Sequence, residues 1–155
     1  MMRRRHSLAR HDRGAVAIEL AVAAPVLAMM LIGLIDLSTS YSTKLRLEQI
    51  AQRTVEKVQA TEFKPADAED LEAEAQAAAE EAGFDGATAN VNYWMECDGA
   101  VASSFTTPCT DGQVVARYME MDIQHTFAPV IAARFTNSNA DGTMTVHGVA
   151  GVRFQ

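Results

Sequence analysis

The spacing of hydrophobic residues changes along this chain and divides it into four parts. Residues 15–35 carry a single charge, and their length matches the ~20 residues of helix that cross the hydrocarbon core of a bilayer. From Leu45 onward, apolar residues recur every three or four positions as far as Val58. This spacing predicts that the same helix continues beyond the membrane with one apolar face.

A second helix and a sheet are predicted after Pro65, because the residue before a proline disfavours helical backbone and ends the first helix. The segment ADAEDLEAEAQAAAEEAG consists almost entirely of strong helix formers. We expect its carboxylates in solvent and four apolar residues on its inner face. These four are Leu71, Ala75, Ala78 and Ala82.

Beyond Gly83 the apolar residues alternate with polar ones, which is the period of half-buried strands. Three such stretches lie near residues 90–95, 119–124 and 143–147. The chain is therefore expected to have an α+β fold. Its parts are a long transmembrane helix continuing into an amphipathic helix, an acidic helix and a small antiparallel sheet of about three strands.

The charged residues that flank the apolar run predict its orientation in the membrane. Five arginines precede Gly14, whereas Asp36 directly follows the apolar run. By the positive-inside rule the N-terminus stays in the cytoplasm and the rest is exported across the cytoplasmic (inner) membrane. The predicted domains are a basic leader over 1–14, a transmembrane helix over 15–36, an amphipathic extension over 37–64 and an exported domain over 65–155.

Glu19 is the one charge of the apolar run. A carboxylate at the centre of a bilayer costs ~2.5 to 3.5 kcal/mol on insertion scales, and less near the interface, so it usually has a partner or a function. Cleavage after Gly14 would give Ala15 a new α-amino group one helical turn from Glu19, and the amine of one subunit could then meet the carboxylate of the next. The alternative is that Glu19 reaches the headgroup region beside Arg13.

Pro25 lies inside the same span, where it removes one backbone hydrogen bond and clashes with the preceding turn. The sequence therefore predicts a kink in the helix at this position. Membrane helices tolerate such a kink because neighbouring groups satisfy the freed carbonyl.

Cys97 and Cys109 are the only cysteines of the chain. In an exported domain, such a pair suggests a disulfide, which would contribute ~3 kcal/mol by the chain-entropy estimate. The rival interpretation is a zinc site completed by His125 and His147, although the spacing matches no familiar zinc finger. The apolar stretch within residues 127–140 either folds under the sheet or lies against the membrane or a partner.

These residues resemble a known family. The sequence RGAVAIELAVAAPVLAMMLIGLIDLSTSY, with Glu19 five positions after Gly14, is similar to the signal of type IV pilins and, more narrowly, to TadE-like proteins. They are minor pilins or pseudopilins of the tight-adherence (Tad) pilus. The resemblance implies a pilin-like fold, cleavage between Gly14 and Ala15 by a prepilin peptidase, and a docking role for Glu19. Implied partners are the other minor pilins, the major pilin and the inner-membrane assembly platform.

Other functions are disfavoured. The chain has no Gly-rich phosphate loop, HExxH or GxSxG motif, so we expect no enzyme, cofactor or metal. From Ala15 onward it carries eight Lys or Arg against 19 Asp or Glu, which argues against nucleic-acid binding. The alternative is a binding domain of the cell envelope, held by an uncleaved signal anchor or released by cleavage before Tyr41.

Overall fold

A computed structural model of the protein describes residues 12–60, 63–130 and 138–154. It contains helices α1 (Asp12–Ala60) and α2 (Ala68–Glu81), a 3-10 turn (Pro65–Asp67) between them, and strands β1 (Thr88–Cys97), β2 (Ala100–Val101), β3 (Val115–Phe127) and β4 (Met144–Phe154). The sheet is antiparallel with strand order β2-β1-β3-β4, which confirms the α+β prediction. Most of the basic leader lies outside the described residues, as do Ile131 and Phe135 of the 127–140 stretch.

The sheet has four strands instead of the predicted three. Asp98 and Gly99 both adopt positive φ, 50° and 81°, which is the backbone of a tight two-residue hairpin turn. This turn folds Ala100 back onto Cys97. The resulting strand β2 has two residues, so it is too short to show an alternating pattern in the sequence.

The half of α1 beyond the apolar run packs along the sheet. Its apolar stripe is buried from Leu47 to Val58, as the three- and four-residue spacing predicts, and it faces the buried side chains of β3 and β4. Leu45, where the predicted stripe begins, is 41% exposed, so the prediction was wrong at that residue. The apolar side chains of α1 and those of the two strands are buried against each other, and this burial supplies the main hydrophobic stabilisation of the domain. The residues of α1 in this core are Leu47, Ile50, Ala51, Val55 and Val58, and those of the two strands are Met119, Met121, Ile123, Val146 and Ala150.

Gly148 of β4 is the point where α1 comes closest to the sheet. A Cβ atom on Gly148 would overlap the Cβ and carbonyl carbon of Leu47 and the backbone nitrogen of Glu48. Only a residue without a side chain allows this approach. The glycine therefore fixes how deeply the helix lies on the strand, and with it the full burial of Leu47.

Helix α2 packs beside β1, and its buried residues differ in part from the prediction. Leu71, Ala75 and Ala79 are buried, whereas Ala82 is exposed and Ala78 is only partly buried. Ala82 is the C-terminal cap of the helix, where the chain turns at Gly83 with φ 91°, and the buried residue beyond that turn is Phe84.

One acidic residue of α2 has a structural role that sequence reasoning missed. The backbone N–H of Val91 donates a hydrogen bond of 2.8 Å to Oε1 of Glu72. Over this part of β1 the strand pairs with β3 on one side only, so the carboxylate satisfies a donor on an open sheet edge. Glu72 thus covers an edge that would otherwise be available for pairing with another strand.

We predict that Gly148→Ala destabilises the domain by about 3 kcal/mol, the upper part of the range for overpacking, because the new methyl meets backbone atoms of α1. The matched control is Gly151→Ala in the same strand, where the nearest atom would lie 3.5 Å away. Urea unfolding of the full chain in detergent micelles, followed by fluorescence of the single tryptophan, Trp94, measures both. Equal stability of the two variants would contradict the close-approach explanation.

Candidate functional site

The first half of α1 stands clear of the domain. From Val16 to Leu31 every described side chain is exposed, and within the described residues this is the one helix that is long and apolar enough to cross a membrane. A surface of this size and composition requires an apolar environment, either lipid or other helices. Its large exposed side chains include Val16, Ile18, Leu20, Val22, Val26, Leu27, Met29, Met30, Leu31, Leu34 and Ile35.

Glu19 is exposed on this apolar surface, and its immediate surroundings are Ile18, Val22 and Ala23. Gly14 and Ala15 lie in the first turn of the same helix. Residues four apart on a helix are neighbours on one side, about 6 Å apart along the axis. An amino group on Ala15 would therefore share its side of the helix with the carboxylate of Glu19.

Helix α1 continues without interruption through Pro25, which is exposed within the span. The helix therefore reaches the domain as one element. The kink at Pro25 stays a prediction.

The junction between the span and the domain has a specific contact that the sequence did not reveal. The backbone N–H of Val130, three residues after β3, donates a 2.8 Å hydrogen bond to Oδ1 of Asp36. Asp36 is the first residue after the apolar run and lies 94 positions away in sequence. The β3–β4 connection is thus tied to α1 at the level where the helix leaves its apolar segment.

The other end of the domain is held by a disulfide and an aromatic cluster. Cys97 and Cys109 are bonded, with their Cα atoms 5.7 Å apart. The loop that this bond closes carries Phe105, whose ring lies 5.2 to 6.3 Å from three other rings, within the range of favourable aromatic contacts. The guanidinium carbon of Arg117 lies 5.7 Å from the centre of the same ring. The other rings are Phe63, Tyr93 and Phe154.

This geometry does not bring the four ligands of the rival zinc site together. His125 pairs with Val146 and His147 with Gln124, and neighbouring residues of a strand project to opposite faces. Nδ1 of His147 lies 3.1 Å from Oδ2 of Asp122, while the His125 ring lies 5.3 Å from that of Phe84.

Together these features define a class of protein: a small α+β domain built on the outer half of one long helix whose other half is apolar and exposed. Residues 14–55 match the family model described as TadE-like protein. The match covers the whole apolar span and the start of the buried stripe, and it confirms the resemblance predicted from the sequence. No curated protein and no solved structure is significantly similar to the chain.

We predict that Asp36→Ala releases the β3–β4 connection from α1, because Val130 N–H loses its acceptor. A hydrogen bond to a charged group contributes ~1.5 to 3 kcal/mol, so the Val130 amide should exchange with solvent at least about tenfold faster. Hydrogen–deuterium exchange followed by NMR on the full chain in nanodiscs measures this rate. Asp36→Asn keeps an oxygen acceptor and is the control, for which a smaller change is expected. An unchanged rate in Asp36→Ala would rule out the contact.

Proposed function

We propose that this protein is a minor pilin or pseudopilin that helps initiate or assemble a Tad pilus for surface adherence. The supporting observation is the TadE-like match over residues 14–55, which coincides with an exposed apolar helix bearing one carboxylate. Residues 15–36 would form the single membrane span, with residues 1–14 in the cytoplasm and the domain outside the cytoplasmic membrane. The protein is then a structural component, and its function depends on surfaces instead of catalysis.

Glu19 supplies the physical reason for assembly. In lipid its carboxylate lies about 6 Å along the helix axis from Ala15, where cleavage would create a new α-amino group. In a bundle of processed subunits it would meet the α-amino group of a neighbouring Ala15. Pairing of two opposite charges in an apolar environment is strongly favoured over leaving one alone, so the pair would set the register between subunits.

The domain is suited to a location outside the cytoplasm. Disulfides form and persist in oxidising compartments and are rare in the cytosol, and the Cys97–Cys109 bond holds the loop that carries Phe105. The bond is therefore consistent with export of the domain. Expected partners are the other Tad minor pilins, the major pilin, the assembly platform and the prepilin peptidase.

We predict that Glu19→Gln leaves membrane insertion intact and reduces pilus formation. Removing one partner of a buried ion pair costs about 3 to 5 kcal/mol, which corresponds to more than about a tenfold loss of assembled pili. Electron microscopy and quantification of sheared pili measure the loss, and membrane fractionation checks insertion. Glu56→Gln, at an exposed position of α1 beyond the span, is the matched control. Normal piliation in the Glu19 variant would show that Glu19 only reaches the headgroups.

A further inference from the structure

The domain carries an exposed apolar residue at its end nearest the span. Val130 is 73% exposed, although its backbone is fixed to Asp36 by the hydrogen bond described above. Ala128 beside it is also exposed. A hydrophobic side chain that is fixed in place and open to its surroundings indicates a contact surface when other apolar residues lie near it.

Helix α1 provides such residues at the same level. Leu37 follows Asp36 directly and is 67% exposed, and Tyr41 is 64% exposed. Tyr41 lies five residues beyond Asp36, or about 7.5 Å along the helix axis. A bilayer of ~40 to 45 Å with a ~30 Å hydrocarbon core has a headgroup layer of about 5 to 8 Å on each side. Asp36 and Tyr41 therefore bracket the thickness of one headgroup layer, where tyrosine is enriched.

We propose that Ala128 and Val130 of the β3–β4 connection, with Leu37 and Tyr41 of α1, form a lipid-contact surface that seats the domain on the outer face of the bilayer. This inference rests on the membrane anchoring stated under the proposed function, and goes beyond it. No exposed length of helix then separates the domain from the bilayer. Its lower end lies in the headgroup layer, and the hydrogen bond to Asp36 keeps it there.

Lipid is the occupant that the geometry favours. Val130 is bonded to the first residue beyond the span, so any insertion of residues 15–35 as a single helix brings the connection to the membrane surface. A protein partner at this level would have to enter the headgroup layer itself. The surface is thus continuous with the apolar half of α1, which already requires lipid or a substitute for it.

Polar groups lie at the same end of the sheet as this surface. The turn before β4 is closed by its own side chains: Oδ1 of Asp141 accepts hydrogen bonds from the backbone N–H and the hydroxyl of Thr143. These bonds lower the pKa of the Asp141 carboxyl, so it stays charged in water. Asn139 donates to the hydroxyls of Thr143 and Thr145. Because Phe127 pairs with Met144, these polar residues lie at the same end of the sheet as Ala128 and Val130, and interfacial segments typically combine such polar and apolar groups.

The test uses the full chain in liposomes with an environment-sensitive fluorophore on single introduced cysteines, the native disulfide being verified by mass. Val130→Cys and Ala128→Cys report on the proposed surface, and each leaves the backbone bond in place. The matched control is Val101→Cys, since Val101 is 69% exposed and pairs with Glu96 at the other end of the sheet. Leu27→Cys, at a position that is 55% exposed in the span, reports on anchoring.

Quenching by lipids that carry a spin label on the headgroup should be several-fold stronger at residues 128 and 130 than at residue 101. Lipids labelled deep in the acyl chain should quench residue 27 best. If residue 27 is quenched and residues 128 and 130 behave like residue 101, the anchor stands and the lipid-contact surface is wrong. Protection of residue 130 from aqueous iodide without quenching by lipid would identify a second copy as the occupant and also overturn it. Absence of quenching at residue 27 would refute the anchor itself, and the inference with it.

Discussion

The contact between Leu47 and Gly148 is the constraint on which the rest of this structure depends. It allows the backbone of β4 to approach the backbone of α1, so that the apolar stripe of α1 is buried against β3 and β4. Within the described part of the domain the other α-helix is α2, which has 14 residues and adds Leu71, Ala75 and Ala79 to the same core. Since α1 is also the helix with the apolar span, that span and the domain core are parts of one continuous element.

This sharing accounts for the different surfaces of the two halves of α1. From Val16 to Leu31 the helix is exposed on all sides, and its apolar composition is suited to lipid or to packing among similar helices. From Leu47 to Val58 only one side is apolar, because the other side faces water. Asp36 lies between the two halves, and its hydrogen bond to Val130 connects the β3–β4 connection to α1 at this position. The span and the sheet are therefore connected twice, through α1 itself and through this hydrogen bond.

Local sequence patterns predicted the elements well, since helix and strand periods are properties of neighbouring residues. The stripe of α1 and the three long strands were predicted from spacing, and the acidic helix from its helix-forming composition. The fourth strand was missed because two residues carry no period, although Asp98-Gly99 is a strong hairpin signal. The inner face of α2 was wrong at Ala82, because the buried residues Leu71, Ala75 and Ala79 follow a four-residue spacing that ends before the C-terminal cap.

Contacts between distant residues were beyond such patterns. Nothing near Gly148 in the sequence shows that α1 crosses it, and nothing near Asp36 identifies Val130 as its donor. Glu72 looks like any other acid of a solvated helix until the sheet edge beside it is known. The candidate site differs from these contacts. Its residues Gly14, Ala15 and Glu19 are close in sequence, so a local motif was sufficient to predict them, and their roles stay predictions.

The central claim is that the N-terminal segment is a processing and assembly signal, with Glu19 placed one turn from a new amino terminus. Its most direct test is the N-terminal sequence of the mature protein, purified from the membrane fraction or from sheared pili and read by Edman degradation or mass spectrometry. The account predicts that the mature chain begins at Ala15. A chain that begins at Met1 would leave Glu19 without its amine, and a chain that begins at Tyr41 would lack the span altogether; either result would contradict the account.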